Sequence, residues 1–349
     1  MVGETLSGSQ KPRISVVIPA LNEAAYLPTL LEALAAQTYP ADEIIVADAG
    51  STDGTPEIAR RYGARVVKGG SPAVGRNAGA QVATGDLILF LDADVVPPPD
   101  FIERAVAEFL QKGYDVATAR MVPWDGNLME RIVHDAANLY FILMQSILPY
   151  APGFCILVRR SLHGKIGGFN ETLRMSEDVD YVRRAARFGR FGVLTSTSIP
   201  VSMRRFRRDG MLQVGMKYLW CEAQMLRGKP IREIPFKYEF GAFPPPSRMD
   251  RRPPRHRRSL PVSLSPEVLQ RAIQKTLSRR FGDLLSDPLT VLEKFSPEKA
   301  GLSRLPSVLR RATKEPPARL KSLLRRPLRP GQPSPTEGPL ASNGLPRRQ

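Results

Sequence analysis

Two aspartates follow a short apolar run, and their type and spacing could hold a divalent cation. The run Leu87–Leu91 is continuously apolar, which is typical of a strand buried on both faces. Asp92 and Asp94 come directly after it, and on extended backbone residues two apart point to the same side. Two carboxylates held together repel unless one is protonated or a cation lies between them. Because no His or Cys lies nearby, we expect a hard ion, Mg²⁺ or Mn²⁺, although a solvated polar turn gives the same pattern.

Strands and helices alternate around this stretch. Apolar runs predict strands at Ile14–Ile18, Glu43–Ala47, Ala64–Val67, Leu87–Leu91 and Asp115–Ala119. With helical spacing between them, this order predicts an α/β fold whose mostly parallel sheet has helices on both faces. Such sheets bind ligands outside the carboxyl ends of their strands. We therefore expect the polar loops Pro19–Glu23, Asp48–Gly54 and Asp92–Pro97 to converge on one edge, with Asn22 capping the helix that follows it.

Motifs and cysteine usage exclude several classes of protein. No Gly-x-Gly-x-x-Gly follows the first strand and no Gly-x-x-x-x-Gly-Lys-Ser/Thr is present, which disfavours a dinucleotide oxidoreductase and a P-loop protein. Cys155 and Cys221 give neither a disulfide framework nor a metal spacing. Since Met1–Lys11 contains no apolar signal region, we expect a cytoplasmic protein with a flexible N-terminus at 1–11.

Charge and proline content divide the chain near residue 243. The whole chain carries a net charge of +17, and residues 244–349 hold 23 Lys and Arg against 8 Asp and Glu. The same segment holds 18 of the 33 prolines, so we expect a basic, largely disordered tail. Within it, residues 267–285 have the apolar spacing of an amphipathic helix. An anionic membrane surface is the favoured partner of this tail, and nucleic acid is disfavoured because stacking aromatics are lacking beyond Phe281.

The segment Ala136–Val158 has no charged residue and is long enough to span a bilayer. Pro149, Pro152 and Gly153 interrupt it, so we predict a helix over 128–148, a turn, and a strand at Phe154–Val158. A buried core helix is the favoured interpretation. A membrane span and an apolar helix face resting on a membrane remain alternatives.

Seven short motifs occur in a fixed order over roughly residues 12–210. They are Val16–Glu23, Asp48–Thr55, Gly75–Gly79, Gly85-Asp86, Asp92–Asp94, Gly167–Phe169 and Glu177-Asp178. This ordered set resembles the family-2 glycosyltransferases, which have the GT-A fold. The resemblance implies inverting transfer of a sugar from a nucleotide-diphosphate-sugar to an acceptor hydroxyl or phosphate on a glycan or lipid-linked acceptor. It also implies a nucleotide-sugar-binding half at 12–120 and an acceptor-binding half of the same domain at 121–243.

The resemblance implies a role for each matching residue. Pro19, Asn22 and Glu23 line the nucleoside pocket and Asp48 closes it. Arg76 reaches the base or the diphosphate. Asp92 contacts the ribose or the metal, and Asp94 coordinates the metal. Asp178 is the general base, with Glu177 beside it in the catalytic motif. Members of the family often place basic residues near the diphosphate. Arg204, Arg205, Arg207 and Arg208 match these residues more loosely than the motifs above match theirs.

Some features depart from the family or allow other interpretations. Ala49 stands where many members have a second acid, which leaves the donor base open. The Gln-x-x-Arg-Trp motif of processive synthases is absent, which favours transfer of a single sugar. Glu177 and Asp178 also suit an ordinary helix start. The alternative functions are a non-catalytic, membrane-associated protein with this fold and a polyanion-binding protein that uses the tail. A peripheral position on the inner membrane face stays open.

Overall fold

The computed structural model describes residues 11–124, 126–236 and 238. The strands are β1 (Ile14–Ala20), β2 (Glu43–Asp48), β3 (Arg65–Lys68), β4 (Leu87–Leu91), β5 (Val116–Pro123), β6 (Cys155–Arg159) and β7 (Phe191–Val201). The helices are α1 (Leu27–Ala35), α2 (Thr55–Arg61), α3 (Pro72–Val82), α4 (Phe101–Gln111), α5 (Leu128–Met144), α6 (Arg160–Lys165), α7 (Glu177–Ala185), α8 (Arg204–Asp209) and α9 (Met211–Leu226). The predicted tail at 244–349 with its helix at 267–285, and the predicted N-terminal segment except Lys11, lie outside the described residues.

The sheet carries helices on both faces because its strands present apolar side chains to both. In β1, Val16 and Ile18 pack with α1 and α4, whereas Val17 between them packs with α3 and α7 on the opposite face. Every residue of β4 is buried, as expected for a strand covered on both sides. The predicted α/β fold with a mostly parallel, doubly covered sheet is confirmed.

The strand order is β3-β2-β1-β4-β6-β5-β7. β1 pairs in parallel with β2 and with β4, and Ala20 at the end of β1 lies opposite Asp48 at the end of β2. The loops after these three strands therefore leave the same edge, which confirms the predicted convergence. β6 lies antiparallel between β4 and β5. The sequence does not indicate this insertion, because a short apolar run carries no mark of strand direction.

Small residues let α3 approach β1 closely. A Cβ at Gly79 would collide with Val17, and a Cβ at Gly75 would lie 3.2 Å from Pro19 Cβ. Arg76 sits between these glycines and has a buried side chain. Because α3 packs closely on β1, it places the guanidinium group of Arg76 near the edge of the sheet where the loops converge.

Helix α5 differs from the predicted buried core helix. It ends at Met144, and its buried residues are Glu130, His134, Asn138 and Phe141. The Asn138 side chain accepts from the Met121 N–H at 3.0 Å and donates to the Met121 C=O at 2.8 Å. Polar side chains thus anchor this helix, and most of its apolar ones face outward. Among the residues that the structure describes, no helix has the length and apolar character needed to cross a bilayer.

Candidate active site

Asn22 joins the loops that follow β1 and β2. Its side-chain oxygen accepts from the Thr52 N–H at 2.9 Å, and its own N–H donates to Ser51 Oγ at 2.8 Å. Its φ of +56° lies in the left-handed region that Asn tolerates better than most residues. The expectation that Asn22 caps α1 is wrong, because that helix begins only at Leu27 and Tyr26 occupies the cap position.

The Asp48 side chain stabilises the loop after β2 by accepting hydrogen bonds from backbone N–H groups. Its Oδ2 accepts from the N–H groups of Gly50 and Ser51 at 3.0 and 3.1 Å. Its Oδ1 is buried without a hydrogen-bond partner. A buried acceptor without a partner costs free energy, so this oxygen is suited to a donor group from a ligand.

The segment after β7 brings Arg204 to the acids after β4. The Ser202 N–H donates to the Asp94 C=O at 3.1 Å, and the Val96 N–H donates to the Pro200 C=O at 3.0 Å. α8 therefore begins beside β4.

Arg204 forms a paired contact with Glu23 at 2.6 and 2.7 Å, and its Nε lies 2.8 Å from Asp94 Oδ2. Burial raises the pKa of Asp94, the Arg204 charge opposes this rise, and the Asp92 charge adds to it. The guanidinium thus balances the charge of two buried acids from different loops.

Arg76 links the acids after β4 to the start of α7. Its side chain is 3% exposed, and it contacts Asp92 Oδ1 at 2.9 Å and Glu177 Oε1 at 2.8 Å. It also donates to the Gly153 C=O at 3.2 Å. One buried guanidinium therefore holds two predicted site carboxylates that are far apart in the sequence.

Asp178 is buried beside this arginine. Burial raises the pKa of Asp178 to about 7, with a further rise from the Glu177 charge and an opposing effect of Arg76. Its Oδ1 accepts from the Val179 N–H at 2.8 Å. Gly153 leaves room for both groups, because a Cβ there would collide with Arg76 and lie 3.2 Å from Asp178 Oδ2. A carboxyl group with this pKa can accept a proton near neutral pH.

One cavity of about 1160 Å³ joins most of the predicted site residues. Those that line it are Pro19, Glu23, Arg76, Asp92, Asp94, Glu177, Asp178, Arg204 and Arg205, whereas Arg207 does not. Asn22, Asp48 and Arg208 do not line it, and Arg208 contacts Asp209 at 2.7 Å. Sequence reasoning missed the pairing of Arg204 with Glu23, since 181 residues separate them and no local signal connects them.

The two acids after β4 suit a hard divalent ion. Asp92 and Asp94 offer carboxylate oxygens only, and they line the same cavity. Magnesium is commonly held by one or two carboxylates together with substrate phosphates. Because burial and the neighbouring Asp92 charge both raise the pKa of Asp94, a cation would favour its ionised form. Within the described residues, no group of three or more His, Cys, Asp or Glu side chains is placed to hold a metal ion.

Comparison with known proteins finds a family whose sequence profile matches the part of the chain that forms this edge of the sheet. The sequence profile described as Glycosyl transferase family 2 matches residues 15–167, which include Glu23, Asp48, Arg76 and both acids after β4. Over these residues the chain is similar to this family. The resemblance inferred from the motifs is confirmed.

Two relatives show how far the similarity extends. The glycosyltransferase AglE of Haloferax volcanii is 32% identical over 196 residues, which are 52% of this chain and 64% of AglE. The succinoglycan biosynthesis protein ExoA of Rhizobium meliloti is 29% identical over 191 residues, which are 50% of this chain and 58% of ExoA. The chain therefore spans less than two thirds of each relative.

Two solved structures have a related arrangement. The mannosyltransferase PcManGT of Pyrobaculum calidifontis, in complex with GDP-Man and Mn²⁺, has a TM-score of 0.48 and 22% identity, covering 61% of this chain and 65% of its own. S. aureus TarS, in complex with UDP-GlcNAc, has a TM-score of 0.46 and 24% identity, covering 54% of this chain and 58% of its own.

Proposed function

We propose that this chain is an inverting glycosyltransferase. It moves a single sugar from a nucleotide-diphosphate-sugar to an acceptor hydroxyl or phosphate by direct displacement. The observation that carries the proposal is the cavity that Asp92 and Asp94 share with Asp178. Displacement needs charge stabilisation on the leaving-group side and one base on the acceptor side. The cavity contains groups suited to both tasks, and the similarity of residues 15–167 to the family-2 glycosyltransferases supports the same reaction.

Asp178 is the proposed general base. It takes the proton of the acceptor hydroxyl as the new glycosidic bond forms, and no covalent intermediate is needed when a single displacement inverts the anomeric carbon. Its pKa of about 7 suits this task, because a base works best when its pKa lies near the working pH. Glu177 acts beside it by holding Arg76 in place.

The leaving-group side combines acids and arginines. Asp92 and Asp94 would hold Mg²⁺ or Mn²⁺ together with the diphosphate, and the ion supplies positive charge that stabilises the leaving diphosphate. Arg204 and Arg205 line the same cavity and add two guanidinium groups. Arg76 is the proposed brace between Asp92 and Glu177, since both of its contacts to carboxylates are already made inside the protein.

The nucleoside side is formed by the loops after β1 and β2. Pro19 and Glu23 line the cavity, and Asn22 keeps the two loops together. Asp48 is proposed to close the nucleoside pocket by shaping the loop after β2, through its contacts with the N–H groups of Gly50 and Ser51. Ala49 lines the cavity next to it and adds no charge there.

The acceptor side has an apolar wall. Val133, Phe141 and Leu219, from α5 and α9, are apolar residues of the cavity lining. A glycan or a lipid-linked molecule is the proposed acceptor, because apolar walls bind sugar ring faces and lipid chains. A lipid-linked acceptor agrees with a peripheral position on the inner membrane face.

Transfer is expected to lose activity as the pH falls through about 7, because Asp178 must be ionised to accept a proton. Glu177→Gln removes a negative charge that raises the pKa of Asp178, so the acidic limb should move to lower pH. The measurement is kcat/KM against pH. Asp180→Asn is the matched control on the same helix, because Asp180 pairs with Arg184 and does not line the cavity. An acidic limb that Glu177→Gln leaves unmoved would argue against this coupling.

Donor binding is tested by a thermal-shift screen of nucleotide sugars with Mg²⁺ or Mn²⁺. We expect one donor class to raise the melting temperature only when the ion is present, because a ligand that binds the native state stabilises it. Asp94→Asn should lose this metal-dependent shift. If no nucleotide sugar shifts the wild-type protein with Mn²⁺ present, the proposed function is wrong.

A further inference from the structure

Helix α5 is amphipathic, but its polar side faces the core and its apolar side faces outward. Its buried side is mainly polar, with Glu130, His134 and Asn138. Its outer side is mainly apolar, with Leu128 and Ile132 75% and 53% exposed, and also carries the exposed Arg131 and Asp135. A surface helix in water normally turns its apolar stripe toward the core. The outer side of α5 is therefore suited to an apolar environment.

Helix α9 also exposes apolar side chains, at the same cavity. Its Leu212 and Leu219 are 78% and 66% exposed, and they line the cavity together with Val133 and Tyr140 of α5. Ten of the thirteen exposed large apolar side chains in the described residues lie on α5, α9 or the turn between α5 and β6. They are Leu128, Met129, Ile132, Val133, Leu139, Tyr140, Ile147, Leu212, Tyr218 and Leu219. Exposed apolar residues concentrated in this way mark an interaction surface. We call this surface the α5–α9 face.

The charge next to this face limits the partner. Between Arg204 and Arg232 the sequence has eight Lys or Arg and only two acids, Asp209 and Glu222. Residues 244–349 then add 23 Lys and Arg against 8 Asp and Glu. A second copy of this chain, or the chain's own basic tail, would bring positive charge against positive charge. An anionic bilayer has an apolar interior and negatively charged headgroups. It therefore matches both the exposed apolar side chains and the positive charge next to them.

We propose that the α5–α9 face docks on an anionic lipid bilayer. The apolar side chains of α5 and α9 enter the boundary between headgroups and acyl chains, and the net positive charge of the adjacent segment attracts the anionic headgroups. The part of the cavity lined by Val133, Tyr140, Leu212 and Leu219 then lies next to the membrane. This docking goes beyond the proposed transfer reaction and needs no turnover, so each can fail without the other.

Binding of the full-length chain to vesicles is the first test. We expect it to cosediment with vesicles of phosphatidylcholine and phosphatidylglycerol, and more weakly with phosphatidylcholine alone. The double variant Leu128→Glu/Ile132→Glu should lower partitioning by roughly tenfold or more, because two charges replace inserted apolar groups. Neither residue lines the cavity. The matched control is Leu110→Glu, which changes an exposed leucine of α4 away from the face.

A fluorophore separates docking of this face from tethering by the tail. Cys155 and Cys221 are both buried, so an environment-sensitive label on Leu128→Cys reacts selectively. Anionic vesicles should shift its emission to the blue, and the same label on Leu110→Cys should not respond. Cosedimentation without the blue shift at Leu128→Cys would overturn the proposal, as would unchanged partitioning of the double variant. Sedimentation velocity that shows a wild-type dimer and a monomeric double variant would assign the face to a second copy instead.

Discussion

Asp178→Asn is expected to lower kcat for sugar transfer by about a hundredfold to ten-thousandfold while donor affinity changes little. The amide has nearly the same shape as the carboxyl group, and its oxygen can still accept from the Val179 N–H. It cannot take the proton of the acceptor hydroxyl. The measurements are the steady-state rate of nucleoside diphosphate release with acceptor present and the donor Kd by calorimetry.

Asp180→Asn serves as the control for this substitution. It makes the same chemical change two residues along α7, at a side chain paired with Arg184 outside the cavity. Its kcat should stay close to that of the wild type. If Asp178→Asn lost donor binding and transfer to the same extent, Asp178 would act in donor binding and not as the base.

Arg76→Met is expected to destabilise the fold by about 3 kcal/mol, because removing one partner of a buried ion pair leaves the other charge uncompensated. Here the loss affects Asp92 and Glu177 directly, and it removes the charge that opposes the raised pKa of Asp178. The measurement is the free energy of unfolding in urea. Arg76→Lys should recover part of the loss, since an ammonium keeps the charge but lacks the planar fork that reaches both carboxylates.

Arg60→Met is the control for the loss of a positive charge. Arg60 pairs with Glu57 at 3.5 Å with both side chains more than half exposed, and such pairs contribute little. If Arg76→Met unfolded at the same urea concentration as the wild type, the proposed brace between the two acid motifs would be wrong.

Much of the fold could be predicted because local patterns determine it. The strand predicted at Leu87–Leu91 has the same bounds in the structure, since a fully apolar run is limited by Asp86 and Asp92. The predictions for β1 and β2 reach within two residues of their observed ends. The antiparallel insertion of β6 could not be predicted, because strand neighbours depend on the whole sheet. From the sequence, an outward apolar side of α5 was only an alternative, because the spacing of apolar residues does not reveal which side contacts water.

The acidic residues of the candidate site could be predicted from the sequence. The arginines that pair with them were harder to predict. Asp92 and Asp94 could be found because they end a strand whose loop position follows from strand–helix alternation. The contacts of Arg76 with Glu177 and of Arg204 with Glu23 join residues 101 and 181 positions apart. Only the packing of α3 on β1, and of the segment after β7 beside β4, brings these groups together.

The central claim is that the acids after β4 hold a cation and a diphosphate together. Its most direct test is to measure the release of nucleoside diphosphate from the donor that the thermal-shift screen identifies. The full-length chain is assayed with Mn²⁺, after removal of the ion with EDTA, and after Mn²⁺ is added back. The release should stop with EDTA and return with Mn²⁺, and Asp94→Asn should stay inactive throughout. Full turnover of the wild type in EDTA would contradict the role assigned to Asp92 and Asp94.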